Sequence, residues 1–376
     1  MLGPTYVLPF TFPLHYFTIK KLYATLFVCI FVTLFHQSIL IMRSLQLLLL
    51  FLLPCFLVCQ QAEVQALFDL SSTAVTGEGT GEVTSGAGKI IFQSTDGGQT
   101  WKDISKGLPE GLTPSTVFAG DGELFLSASN GIYRNSTASK TANWKKEMLL
   151  EQSFTTVSAG IGGVIAFSNN GRFLQKANYT GLWMPVFTDF KGRMVRNVFT
   201  TREGSVFIGC DDGLFKSTDQ GKTWKHVMED GWVIKMVESN GLLLCTSQSG
   251  ILRSTDGGEH WEVVLSEGGV GIDVEVIKGG FAAINYNTRS HTRRIRTSTD
   301  GGKTWQPIDA GLPPSLLISS IQQVGDYFYC GHPKGIYRSA DQGKTWNLLL
   351  PTIGEKVFNL SVSGGVLYAV LQNGGC

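Results

Sequence analysis

The sequence predicts an all-β chain folded as a seven-bladed β-propeller of four-stranded antiparallel blades, and three observations predict it. An eight-residue phrase, Ser-Thr-Asp-Gly-Gly-Lys-Thr-Trp at 298–305, recurs with small edits at 94–101, 217–224, 254–261 and 339–346. Seven of the eight tryptophans, at 101, 144, 183, 224, 261, 305 and 346, follow one another in steps of 37 to 44 residues. A period near 40 that holds four short apolar runs suits a radial array, in which each sheet buries its faces only against its neighbours. The runs themselves are rich in β-branched and aromatic residues and bounded by Gly and Asp, and no stretch after residue 67 has helical periodicity.

Residues 1–66 read as a hydrophobic leader with apolar stretches from Leu22 to Ile41 and from Leu45 to Val58. The second follows Met42 and Arg43, has the length of a signal-peptide core and precedes a small-residue cleavage site at Val64-Gln65-Ala66. The first is long enough to span a bilayer, and a translation start at Met42 would make residues 1–41 an over-extended start. The expectation is export to a secreted or extracytoplasmic location, with membrane contact only through an uncleaved leader. Residues 67–87, rich in Gly, Ser and Thr, read as a flexible linker.

The propeller is expected over 88–376, opening on Lys89 to Ser94 and Trp101 to Ile104 with no inner strands before them. Two worn repeats follow, with Gly131-Ile132-Tyr133-Arg134 ahead of Trp144 and Phe173-Leu174-Gln175 ahead of Trp183. The next unit shows the whole pattern, with strands at Val195 to Phe199, Ser205 to Gly209, Leu214 to Ser217 and Trp224 to Val227. After Trp346 only two runs remain, Val357 to Val362 and Val366 to Leu371. They match the first two strands of a blade whose third and fourth come from the opening of the ring, so the last blade is closed by both ends of the chain and no sheet edge stays open.

Within each phrase the carboxylate of Asp96, Asp219, Asp256, Asp300 or Asp341 is placed to accept turn N–H groups. The following Gly is expected to supply the positive φ that most residues resist, and Trp101, Trp224, Trp261, Trp305 or Trp346 caps the turn. These ten residues are read as structural, because five similar carboxylates around a ring cannot share one active site. Arg134, Arg253 and Arg338 recur at one repeat position and are read the same way. The phrase resembles the Asp box of the bacterial neuraminidase (BNR) repeat, a motif of sialidase-like propellers, sortilin-type receptors and photosystem II assembly factors. In layout the chain is similar to the single-ring assembly-factor and sortilin-type propellers. The resemblance implies the fold over 88–376 and raises two activities, binding without catalysis and glycoside hydrolysis.

Against hydrolysis, sialidases need an arginine ahead of the first box, and here that strand reads Lys89-Ile90-Ile91-Phe92-Gln93. Asp211 and Asp212 are adjacent and would point to opposite faces of an extended strand, which does not suit a catalytic carboxylate pair. No Ser/His/Asp, phosphate-loop, dinucleotide or zinc spacing occurs, so neither metal nor cofactor is expected. Net charge is +1 overall, and the chain after residue 66 is near neutral, which excludes the electrostatic footprint of a nucleic-acid binder. Cys210, Cys245 and Cys330 fall on second strands of different repeats and are read as buried thiols.

The binding expectation rests on the ring face opposite the Asp boxes. The longest connection there is read as a loop from Tyr286 to Arg296, holding Arg289, His291, Arg293, Arg294 and Arg296, an arrangement suited to gripping a carboxylate, sulfate or phosphate. Further candidates on that face are Asp211, Asp212, His332, Lys334, Arg193 and Arg196. The expected partner is a protein or an anionic glycan docked at this mouth, with a glycoside hydrolase of sialidase-like or other exo-acting type as the alternative.

Overall fold

The computed structural model describes residues 88–137, 141–149, 154–229 and 231–373, so the expected leader, the linker and Cys376 lie outside them. The described residues contain no helix and form seven four-stranded antiparallel sheets. Blade 1 comprises 114–146, blade 2 156–186, blade 3 195–228, blade 4 236–265, blade 5 268–307 and blade 6 320–351. Blade 7 joins Lys356–Ser363 and Val366–Asn373 to Ile91–Ser94 and Lys102–Asp103, with Ile91 opposite Val370 and Ser94 opposite Leu367. The first strands touch in sequence around the circle, blade 7 meeting both blade 6 and blade 1, and the ring is closed as the repeat predicts.

The core is divided among the seams. Seven apolar clusters occur among the described residues, each spanning two neighbouring blades. One of them packs Ala282 and Ile284 of blade 5 against Ile321, Phe328 and Cys330 of blade 6. Cys210, Cys245 and Cys330 are buried free thiols, and burial pushes Cys210 up to about 12.

The five full phrases build one turn. Each Ser hydroxyl donates to its Asp carboxylate at 2.8 Å and accepts the amide of the second residue after that Asp at 2.8–2.9 Å. The carboxylate accepts the amide of the residue before the tryptophan at 2.9–3.0 Å. The expectation of Gly directly after the Asp needs correction, since Gln220 and Gln342 occupy that place at φ 61° and 60°. The following glycine is the demanding one: a Cβ on Gly258 would lie 2.5 Å from the Phe207 ring of the preceding blade.

Six of the eight tryptophans divide into two kinds. Trp101, Trp224, Trp261 and Trp305 donate Nε1 to a glycine carbonyl of their own turn at 3.1 Å. Trp144 and Trp346 are buried and donate across a seam, to Ile104 at 2.6 Å and Ile308 at 2.7 Å. Two of the three recurrent arginines also bridge blades. Arg253 Nε donates to Gly301 at 2.7 Å and Arg338 Nη1 to Gly97 at 3.1 Å, each at the Asp-box turn of the next blade.

Candidate ligand-binding mouth

Antiparallel connectivity puts the second-to-third turns and the links between blades on the face opposite the Asp boxes. Most of these turns are tight. In blade 3, Cys210 pairs with Gly213 around only Asp211 and Asp212, and Gly213 takes φ 122° where a Cβ would sit 2.0 Å from the Met228 carbonyl.

Blade 5 departs from this, and from the loop expected at Tyr286 to Arg296. Its hairpin prolongs the ladder, with Gly280–Asn287 paired to Thr292–Ser298 and only residues 288–291 at the tip. The added residues continue the two-residue alternation, so they extend strands instead of opening a loop. Asn287 Oδ1 accepts the amides of Arg289 and Ser290 at 3.0 and 2.9 Å, which fixes the tip, and Arg289 and His291 are exposed on it.

The other arginines stand on the strand. Arg294 grips Asp309 with two bonds of 2.7 and 3.1 Å, and Arg296 is buried against Glu267 and Asp309. Burial alone would raise the Asp309 carboxyl, but Arg294, the Ile295 amide and Arg296 hold it below the usual carboxylate range. Arg293 is buried and donates to the Ile318 carbonyl at 2.9 Å. Arg294 and Arg296 thus form an internal ion-pair network, and the exposed charge of this hairpin is at its tip.

The remaining candidates are placed as follows. Arg193 pairs with Asp212 and lies over the Phe215 ring, while Arg196 holds Asp211 at 2.6 and 3.1 Å. The structure therefore brings these four together, as partners of one another. His332, expected among the residues of the mouth, is buried. Its Nδ1 accepts the Lys334 amide at 3.1 Å and its Nε2 donates to the Pro313 carbonyl at 3.0 Å, so the ring is neutral, and burial lowers its pKa. Lys334 is exposed.

A cavity of about 480 Å³ opens where blades 3 to 6 meet, lined by Arg196, Trp232, Ile234, Val270, Tyr286, Arg293 and Leu316 among others. Arg196 and Arg293, candidates from separate blades, share it. Trp232, in the link from blade 3 to blade 4, was not among the candidates. It is the eighth tryptophan, the one outside the repeat, and that irregularity is the signal that could have found it. Ile234 and Leu316 are 41% and 51% exposed in this wall, an apolar lining left open to solvent.

Nearby, Lys235, just before the inner strand of blade 4, contacts Asp273 through Nζ at 2.7 Å and also Glu275, and Glu275 also accepts from Gln322. Burial would lower the Lys235 ammonium, but the two carboxylates hold it above its ordinary value. This cluster too was missed. Its signal was two acids in the first-strand run Ile272-Asp273-Val274-Glu275-Val276.

Comparison with known proteins agrees with the fold. The BNR/Asp-box repeat model matches residues 215–226 and 296–307. No curated protein matches the sequence. An ancestral GH74 enzyme is 13% identical with a TM-score of 0.55, over 76% of this chain and 46% of that one. YCF48 bound to D1 peptide is 16% identical with a TM-score of 0.51, over 71% and 95%. The extracellular domain of a one-component system from B. thetaiotaomicron is 12% identical with a TM-score of 0.54, over 67% and 36%. The chain thus spans less than half the length of the GH74 enzyme and nearly all of YCF48. Repeats and neighbours concur with the seven sheets: this is a seven-bladed β-propeller carrying BNR/Asp-box repeats.

Proposed function

We propose that the ring is a non-catalytic binding propeller acting outside the cytoplasm, which docks a polypeptide, or else an anionic glycan, at the mouth formed by blades 3 to 6. The observation that carries this reading is the open apolar cavity containing the off-repeat Trp232, with Arg196 and Arg293 in its wall. A large aromatic face beside cationic groups suits a ligand with both apolar and acidic parts. Arg289 projects beside His291 at the adjacent hairpin tip and adds positive charge to the approach. The carboxylates around the mouth are engaged: Asp211 by Arg196, Asp212 by Arg193, Asp309 by Arg294 and Glu267 by Arg296. Paired in this way they favour recognition over a general acid and base pair. The YCF48 neighbour was solved with a peptide, which favours a polypeptide, and the extracellular neighbour and the expected leader favour export.

The test is capture from the native host with the segment from Leu67 onward as bait, beside Trp232→Ala and Arg289→Ala/Arg293→Ala variants of unchanged melting temperature. Loss of the captured ligand with either variant is expected, and equal capture by all three would refute the site. Cleavage of a fluorogenic glycoside panel that disappears on Asp211→Asn or Asp212→Asn would replace the reading with hydrolysis.

A further inference from the structure

Five cationic side chains are buried among the described residues, Lys176, Lys216, Arg253, Arg293 and Arg296. Four of them face an acid. Lys176 has Glu147 at 2.5 Å, Lys216 has Glu259 at 2.6 Å, Arg253 has Glu262 at 2.7 Å and Arg296 has Glu267 at 3.0 Å. Arg293 forms no ion pair among the described residues, and its side chain donates only to the Ile318 carbonyl. A guanidinium carries five N–H donors and keeps its charge, so burial without an anion is costly and leaves it ready to take one. The prolonged hairpin of blade 5 puts Arg293 in this position. It pairs across the ladder with Tyr286, its amide donates to the Ser315 carbonyl at 2.8 Å, and both members of the pair line the mouth cavity.

Among the described residues the wall of that cavity holds two arginines and no Asp or Glu. Arg196 is already held by Asp211, so the charge left for a ligand is that of Arg293. Arg293 also borders a second cavity, of about 370 Å³, but Asp309 stands in that wall and opposes an anion there. Beside Arg293 the mouth is aliphatic, with Ile234, Val270, Ile272, Leu316 and Leu317 next to Trp232. Such a wall leaves the hydroxyls of a sugar unpaired and suits the apolar side chain of a peptide. Terminal carboxylates are captured in nests of backbone N–H groups, whereas a single guanidinium suits an acid carried on a side chain.

We propose that Arg293 receives the side-chain carboxylate of an Asp or Glu in an extended segment of another protein, with a large apolar residue beside that acid seated among Trp232, Ile234 and Leu316. This rests on the docking reading above and narrows its ligand to an acidic-apolar peptide. The experiment applies the segment from Leu67 onward, which holds all seven sheets, to an array of capped octapeptides. Each carries a central Glu or Gln followed by Leu, Phe or Ser, in varied flanks. Glu-Leu and Glu-Phe peptides are expected to bind about tenfold more tightly than their Gln counterparts, and more tightly than Glu-Ser peptides. Arg293→Met should reduce the preference for Glu to within about twofold, and Arg293→Lys, which keeps the charge, should retain part of it. The comparison of Glu with Gln is made on the unaltered protein, so it stands even where a variant misfolds. Equal binding of Glu and Gln peptides, or a preference that folded Arg293→Met preserves, overturns the proposal. So does tighter binding of uncapped Gln peptides through a free C-terminus, or of sialylated or sulfated oligosaccharides. Binding that Trp232→Ala abolishes but that ignores the change from Glu to Gln removes this inference and leaves the docking reading standing, whereas binding indifferent to Trp232→Ala removes both.

Discussion

Blades 3 to 6 and the closing blade 7 use one device repeatedly, whereas blades 1 and 2 lack it and are held by different means. In the five Asp-box blades the last hairpin is fixed by bonds between residues two and four apart. In blades 1 and 2 that role falls to Glu147, which leaves blade 1 to receive Lys176 and Trp183 of blade 2 together with Arg134 of its own blade. Arg134 shows the substitution of one device for the other. At its repeat position Arg253 and Arg338 reach the Asp-box turn of the next blade, but blade 2 has no box, and Arg134 turns to Glu147. The lesson concerns redundancy. Local staples are five near-equal parts, of which one can be spared, while the worn sector hangs on a single carboxylate.

That contrast can be broken most directly at Glu147. Glu147→Gln leaves Lys176, whose side chain is only 5% exposed, without its anion, and a cost of about 3–5 kcal/mol is expected in urea unfolding. Adding Lys176→Met should recover much of it, and a failure to recover would show that the carboxylate matters chiefly through Arg134 or Trp183. Next in size is Trp144→Phe, which removes the bond to Ile104 across the seam between blades 7 and 1. About 2 kcal/mol is expected, read from the same transition. Asp300→Ala removes one local staple and should lower the urea midpoint less than either, with Asp219→Ala adding to it independently because the two turns belong to different blades. A cost for Asp300→Ala as large as that of Glu147→Gln would erase the distinction.

Acid sharpens the comparison further. Hydrogen bonds from Thr100, Thr223 and Thr345 hold Asp96, Asp219 and Asp341 down at about 2, from an ordinary 3.8. A carboxylate depressed on folding contributes stability above its unfolded pKa and loses it as pH falls through its folded one, so loss is expected between 3.8 and about 2. The smallest effect belongs to His332, whose burial lowers its pKa from 6.5. The unfolded chain takes that proton first, so stability should decline slightly as pH drops below 6.5, and His332→Gln should flatten this step in a pH series of melting temperatures.

What the sequence made legible follows the same division. The Asp boxes are local in the chain, so their spacing revealed the blade count, the strand order and the shared closing blade. The anchor at Glu147 is a contact between blades with no periodic signature, and no repeat reading would select it. At the mouth, the segment from Tyr286 to Arg296 was read as one exposed loop, whereas only Arg289 and His291 stand exposed at a tip and Arg294 and Arg296 are engaged by acids on the strand. A cluster of like charges reads as an exposed grip until the acids that face it, Glu267 and Asp309, are located, and both lie well away in sequence. The burial of His332 was not legible, because Pro313, whose carbonyl meets its ring, comes from the preceding link. Trp232 was visible as an exception to the rhythm, and the exception marks the cavity.

The pairing of Ile91 with Val370 sets the order of events during synthesis. Strand Ile91–Ser94 emerges from the ribosome among the earliest parts of the ring and must wait for Val366–Asn373 before its inner edge is covered. Six blades can assemble as they appear, but the circle locks only when Val366–Asn373 has been made. Until then Phe92 lacks its contact with Phe358, and a nascent ring offers an uncovered strand that a chaperone could recognise.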